Sequence, residues 1–469
     1  MKLALPTLFV CVFVAWIAAS QASPLIAAQA GAPTADGAES AADEPPLAPE
    51  PAVDGGEGDS GEDAAACALS SSCCESCVGE SCATCGGACS FFDPPSNACG
   101  VDPRIYRSLI LGRLWVEAEY LAWACSSTHL PPLVTTSDPG TAQADAGVLG
   151  KDNTAILFGN ADYHGDFRSG GRLSGGYWFT PEHRTGIEGS FFQVDGGDVE
   201  FLGLGDGTNI LARPIVDAVT GSPAAILVSY PGLQLGDLAV KTDMGLLGAE
   251  ALLRRALREG SNYRIDGVVG YRYQRLFDRL AVDEAYDLAR PAGSVETISF
   301  YRFDDLVSKN QFHGGEAGLI GRWWGCRWAF QALGKVALGG TRTSTTIGGG
   351  TIRTVTNDDP DIDPVETFYA GGVLALPSNI GSYGRTEFAA VGELGLRLEY
   401  ALNKQCRLTA GYTVIYWPNV ARVTDSIDRL VDSSQIPPAA NPSATSPSFA
   451  FQDSDFWAQG VSAGLHIEF

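Results

Sequence analysis

The chain is short of charge, of methionine and of histidine. Charged residues make up 18% of the 469 positions, with only 2 Met and 5 His, whereas an ordinary soluble domain carries about a quarter charged residues. That shortage, set beside 56 Gly and 26 Pro, excludes a coiled coil and an average α/β enzyme. Basic residues are scarcer still: 31 against 55 acidic, a formal charge of -24. This is the wrong sign for holding a phosphate backbone, so no nucleic-acid partner is expected. Long apolar runs are missing as well. After the first 22 residues no stretch reaches the ~18 uncharged apolar residues of a spanning helix, so a later membrane crossing requires strands closed into a barrel.

The one apolar run, Leu3 to Ala19, follows Lys2 and ends at Ser20-Gln21-Ala22. It reads as a secretory signal peptide over residues 1–22, removed after about Ala22, with a single membrane anchor as the competing reading. Cys11 is preceded by Val10 rather than by a small residue, which does not fit lipoprotein acylation. Residues 23–66 are rich in Ala, Pro, Gly, Asp and Glu. They cannot bury enough apolar area to offset ordering entropy, so a solvated acidic disordered spacer is expected. Between Gln21 and Cys99 there is no Lys or Arg, and thirteen acidic residues carry just over half of the net charge.

Cysteine is concentrated in a segment over residues 67–107. Cys67, Cys73, Cys74, Cys77, Cys82, Cys85, Cys89 and Cys99 are eight of the twelve. In an exported chain such an even cluster favours a disulfide-stapled, cysteine-rich periplasmic segment of unspecified pairing. The spacing Cys74-x2-Cys77 and Cys82-x2-Cys85 also fits zinc or iron–sulfur ligands. Four intervening residues are tight for a zinc ribbon and no His is near, so no metal is expected. Cys125, Cys326 and Cys406 are scattered and read as packing residues.

From residue 108 onward the sequence alternates with a period of two. The last ten residues place Val461, Ala463, Leu465, Ile467 and Phe469 on one face and Gly460, Ser462, Gly464, His466 and Glu468 on the other. An apolar face opposite a small or polar one is the pattern of a transmembrane barrel strand. The alternation recurs in Tyr263 to Arg275, Glu393 to Tyr400 and Arg407 to Tyr416. Further candidates are Leu114 to Trp123, Gly171 to Phe179, Gly186 to Val194, Met244 to Arg254, Phe312 to Trp323 and Arg327 to Leu338. The expected fold is all-β, a transmembrane antiparallel up-and-down β-barrel of about ten strands (8–12) over residues 108–469, with strands near the ~10 residues a tilted membrane strand needs. Short connections alternate with stretches of some tens of residues, such as Thr341 to Arg385. This asymmetry predicts short periplasmic turns and long external loops. A soluble β-sandwich or propeller also alternates, but explains neither the one-sided loops nor Arg and Glu at alternate positions.

Several stretches resemble a known family, the planctomycete-type β-barrel porin family numbered seven. They include LWVEAEYLAW (from Leu114), LPPLVTTSDPG (from Leu130), FRSGGRLSGGYW (from Phe167), NQFHGGEAGL (from Asn310), LALPSNIG (from Leu374), GYTVIYWPNVAR (from Gly411) and the terminal FWAQGVSAGLHIEF. The resemblance spans about residues 108–469 and implies an outer-membrane barrel. The chain ends on an aromatic residue, and by resemblance to outer-membrane barrels Phe469 is the terminal residue read for insertion. LPPLVTTS and LALPSNIG fall in long loops, where either an ordered plug or a cap on the barrel rim would account for them.

Other chemistry is weak. The five histidines show no HExxH pair and the chain no GxSxG elbow. His466 or His313 opposite Ser174 or Ser190 is the one conceivable serine pair, and no enzyme is expected. Asp358, Asp359, Asp361, Asp363 and Glu366 allow a calcium loop, but two prolines and the missing turn glycine favour a solvated acidic loop. GGGTIR near Gly348 follows no helix pattern and carries no phosphate-site reading.

The expected function is therefore porin-like passage of small polar or cationic solutes through a narrow lumen. The lumen-lining candidates are the carboxylates Glu119, Glu188, Glu250, Glu316, Glu393, Glu399 and Glu468, opposed across the bore by Arg172, Arg264, Arg272, Arg397 and Arg407. Barrels of ~8 strands are filled by side chains, so a structural, non-transport envelope protein anchored through its cysteine cluster is the alternative. No cofactor is expected. Expected partners are outer-membrane lipid, the barrel-assembly machinery and, through the cysteines, cell-wall or envelope proteins; no oligomeric state is set.

Overall fold

A computed structural model describes residues 112–439, 441 and 443–469. The expected signal peptide, the expected acidic spacer and the eight clustered cysteines lie outside these residues.

Ten antiparallel strands form the ring: β1 (Leu114–Cys125), β2 (Phe167–Trp178), β3 (Thr185–Gly203), β4 (Gln234–Glu259), β5 (Tyr263–Leu288), β6 (Glu296–Trp324), β7 (Trp328–Asn357), β8 (Gly381–Ala401), β9 (Cys406–Val420) and β10 (Ser454–Glu468). Each pairs with its neighbour in sequence, and β1 with β10 closes the barrel. The fold is thus a closed antiparallel up-and-down β-barrel. Phe469 sits at the seam, its backbone N–H donating to the Leu114 carbonyl at 2.8 Å.

The outward face carries a membrane band. Its lower edge is the row Tyr263, Trp323, Phe330 and Leu398, and its upper edge the row Tyr273, His313, Gly340 and Phe388. Val269, Leu319, Val336, Leu394 and Leu396 stand exposed between them. Ten residues along tilted strands span about 25 Å, the height of an outer-membrane apolar band. Exposed leucine and valine at this density would be unstable in water and is favourable in lipid.

The strands do not stop at that edge. β4 and β5 run for 26 residues each, β6 for 29 and β7 for 30, well past the ten-residue expectation. Above the band the polarity of the two faces inverts. Charged Arg279 and Asp305 now point outward as an ion pair, while Leu280, Val282, Leu306 and Ile347 point inward and are buried. The stretch from Leu276 to Gln311, expected as a long connection, is therefore mostly strand, and β5 and β6 are joined by residues 289–295 alone.

What those inward apolar residues face is a plug. Val134–Ser137, Thr154–Phe158, Leu211–Asp217, Pro223–Ser229 and Leu430–Val431, drawn from three different long loops, pair into a second sheet. Leu130, Leu133, Val134, Phe158, Leu211, Val228, Leu374, Ala375 and Val423 pack with the upper strands into one apolar cluster. The LPPLVTTS and LALPSNIG segments thus belong to an ordered plug. Close approach of the plug depends on Gly349 of β7, where an added Cβ would meet the Ala375 Cβ at 2.7 Å and the Gly372 nitrogen at 3.1 Å. That contact accounts for the middle glycine of GGGTIR.

Candidate functional site

Below the plug, the lumen contains two layers that the strand pattern makes in turn. The upper is apolar: Trp123, Phe312, Ile415, Trp417 and Phe456 meet at the barrel axis with no accessible surface, joined by Phe192, Leu246 and Leu276. Ten strands enclose little more space than large side chains fill, so these rings shut the bore at this level. Trp417 is held by its Nε1–H, which donates to Thr341 Oγ1 at 3.0 Å.

The lower layer is ionic. Here the outward residues are apolar, so by alternation the inward ones carry the charge. Arg397 of β8 reaches Glu117 at 2.7 Å and Glu119 at 3.3 Å on β1, and Arg172 also reaches Glu119, at 3.5 Å. Arg272 contacts Glu250 and Glu316, both at 3.2 Å, and Glu393. Lys335 lies 2.7 Å from Glu250 and 3.3 Å from Glu393. Arg254 holds Glu188 and Asp266, and Arg264 holds Asp266 again. Arg407 links Glu468 to Glu399, which also pairs with Arg322. His466 lies between Glu117 and Glu468 and stacks on Trp115.

All twelve lumen candidates face into this layer. Arg172, Glu188, Glu250, Arg264, Arg272, Glu393, Arg397, Glu399 and Glu468 line a cavity of about 330 Å³. Glu119, Glu316 and Arg407 are buried behind it. One expectation changes. The two signs do not oppose each other across an open bore; Arg272–Glu393 and Arg397–Glu117 bridge non-adjacent strands in direct contact. A charge closed in a narrow barrel is costly unless paired, and long Arg side chains can reach across.

Glu117, Arg254, Asp266, Arg322 and Lys335 belong to the same layer, and the sequence reading passed over them. They were accessible to it: Glu117 is two residues from Glu119, and Asp266 lies between Arg264 and Val268 on the inward phase. A second network gave no sequence signal. In the plug, Asp304 of β6 accepts from the backbone N–H groups of Val373, Leu374 and Ala375 and from Arg213. Arg213 and Arg302 in turn share Glu284.

The remaining candidates separate. Glu250, Glu316 and Glu393 offer oxygens within 4.8 Å of one another, but Arg272 and Lys335 already sit among them. Their charge is balanced by protein cations rather than left for an ion. Asp359, Asp361, Asp363 and Glu366 are in or beside an exposed turn and Asp358 pairs with Arg290. Ser174, Ser190 and His466 line the cavity, whereas His313 points outward and meets Tyr271. Cys125 is buried and Cys326 and Cys406 are half-buried.

Comparison with known proteins adds the family. A search of the curated proteins gives no match. Among solved structures, the outer-membrane protease OmpT of Escherichia coli aligns at 9% identity and a TM-score of 0.35, over 76% of this chain and 96% of that one. The toluene transporter TodX of Pseudomonas putida aligns at 8% and 0.20, over 80% and 94%. A FadL homologue of Pseudomonas aeruginosa gives 8% and 0.23, over the same shares. The assignment rests on the family model, whose match covers residues 115–469: the chain belongs to the family Putative beta barrel porin-7 (BBP7).

Proposed function

We propose that this protein is a gated porin-like barrel that takes small polar or cationic solutes into its ionic vestibule and passes them only when the loop plug and the aromatic layer beneath it move. The observation that carries this reading is the cavity of about 330 Å³ with its charged lining. A barrel with a purely structural role gains more from filling its lumen with apolar side chains, as the upper half of this one does, than from enclosing charges. The ion-paired groups of the layer around it nearly balance, nine carboxylates against eight Arg and Lys, so only a weak cation preference is expected. By the topology of outer-membrane barrels the vestibule, at the end where β1 starts, β10 finishes and the short turns lie, opens to the periplasm.

Planar-bilayer recordings of the full chain test this. Wild type is expected to show rare, short openings with weak cation selectivity, and Asp304→Ala to open far more often. Absence of conductance from both proteins would remove the transport reading.

The second reading, a non-conducting envelope protein anchored through its cysteine cluster, is favoured by the complete burial of the aromatic layer. High-mass ladders of envelope fractions that collapse on reduction, together with silent bilayers, would support it.

A further inference from the structure

Just above the upper edge of the membrane band, three adjacent strands present an unpaired basic cluster. Arg275 of β5, Gln311 of β6 and Arg342 of β7 are partners in one register row, and Lys309 lies one row above on the middle strand. Neighbouring strands are about 4.8 Å apart, so Arg275 and Arg342 flank Gln311, whose amide donates to the Tyr273 hydroxyl at 3.4 Å and keeps a second N–H, and their long side chains can converge on a single anion. Among the described residues none of the three forms an ion pair, although nearly every cation of the lumen does and Arg279, on the same strand as Arg275, is paired with Asp305. Lys309 is held over the ring of Phe277 with its Nζ 5.9 Å from the centroid.

Below this cluster the surface changes from basic to grooved. The next two rows are Tyr273–His313–Gly340–Phe388 and Tyr271–Gly315–Leu338. Gly315 and Gly340 carry no side chain, and a Cβ added at Gly315 would meet nothing within 4 Å. Tyr271, Leu338 and Phe388 stand exposed on either side. The result is a shallow apolar channel leading down the membrane face from the basic cluster.

We propose that this surface binds a phosphorylated lipid of the leaflet on the loop side, with Arg275, Lys309, Arg342 and the Gln311 amide on the headgroup phosphate and one acyl chain along Gly340 and Gly315. Arg offers planar paired donors that match phosphate oxygens, and Lys adds a mobile point charge. Cations at a membrane surface attract anionic lipid, roughly fivefold in affinity each. The site depends on the barrel standing in a membrane and is independent of whether the lumen conducts.

The test uses the full chain in detergent, titrated with phosphatidic acid and followed by native mass spectrometry. Diacylglycerol of the same acyl chains and inorganic phosphate serve as comparison probes. Wild type is expected to retain phosphatidic acid, to ignore diacylglycerol, and to keep the lipid when inorganic phosphate is added in equal amount. The combined Arg275→Gln, Lys309→Gln, Arg342→Gln variant is expected to bind about 100-fold more weakly, the product of the three cations. Gly315→Trp should weaken lipid retention with all three cations present. Should the triple variant fail to give a heat-modifiable barrel, the exposed single change Arg342→Glu makes the same comparison. Equal lipid retention by wild type and charge variants overturns the proposal. So does displacement of the lipid by inorganic phosphate, which would make the cluster a free-anion site.

Discussion

Arg213 Nη2 lies 2.6 Å from Asp304 Oδ2 with both side chains fully buried, although one residue comes from a long loop and the other from the barrel wall. The same carboxylate accepts the backbone N–H groups of Val373, Leu374 and Ala375, at 2.8 to 3.1 Å in its shortest contacts. One side chain therefore ties two loops to β6. Asp304→Ala would leave the buried Arg213 guanidinium with Glu284 alone and strand three backbone donors, a loss on the order of 3–5 kcal/mol. Limited trypsin digestion should then cut the loops several times faster than in wild type while the barrel keeps its heat-modifiable migration. Equal cutting rates would show that the apolar contacts alone hold the plug.

Arg397 occupies the corresponding position in the lower layer. It is the cation shared by Glu117 and Glu119, with Arg172 at 3.5 Å from Glu119 and His466 at 3.5 Å from Glu117 as weaker substitutes. Arg397→Met is expected to lower barrel stability by about 3 kcal/mol, since it leaves a carboxylate buried without its main partner. Adding Glu117→Gln should recover part of that loss, because the stranded charge goes with it. Urea unfolding followed by gel migration measures both, and a double variant no more stable than the single one would contradict the pairing.

How much of this could be read beforehand is decided by where the alternation holds its phase. Within the membrane band the outward side is apolar and the inward side charged, so Tyr263 to Arg275 showed a strand directly. Beyond Arg275 the outward residues become charged and Leu280 and Val282 turn inward against the plug. A pattern that reverses its sign looks like the loss of a pattern, so alternation alone ends the strand at Arg275. The inward set was legible for the same reason that its partners were not. Alternation assigns Arg272 and Glu393 to the lumen, but only closure of the ring brings residues on β5 and β8 together. The Asp304 network leaves no periodic trace, because a loop backbone supplies half of it.

Loop chemistry gives one pH-dependent prediction. The Asp217 carboxylate accepts the Thr220 backbone N–H at 2.7 Å, the Thr220 hydroxyl at 2.9 Å and the Val219 N–H at 3.0 Å. Hydrogen bonding to its charged form, led by the Thr220 N–H, holds its pKa below the ordinary aspartate range. A group depressed on folding contributes order that is fully present above the unfolded value near 3.9 and is lost as pH falls through the lower folded value. Amide protection at Val219 and Thr220, corrected for intrinsic exchange, should be constant above about pH 5 and decline at more acid pH. Asp217→Asn should flatten that profile; an unchanged profile would detach the turn from this carboxylate.

The aromatic layer decides whether the plug alone sets the gate. Trp417 is fully buried, its ring edge-on to Phe312 at 6.2 Å between centroids. Trp417→Ala empties the largest volume that one change can remove at that level and leaves the Thr341 hydroxyl without its donor. A loss of about 3–5 kcal/mol is expected from the cavity, with the strands still closed by their backbone ladder. If the layer is the resistance, conductance should rise in this variant even with Asp304 intact, and rise further when Asp304→Ala is added. If the plug is the resistance, Trp417→Ala alone should stay as quiet as wild type and the double variant should match Asp304→Ala. The two barriers lie in series along one axis, so the pair of single variants and their combination assigns the gate to one layer or to both.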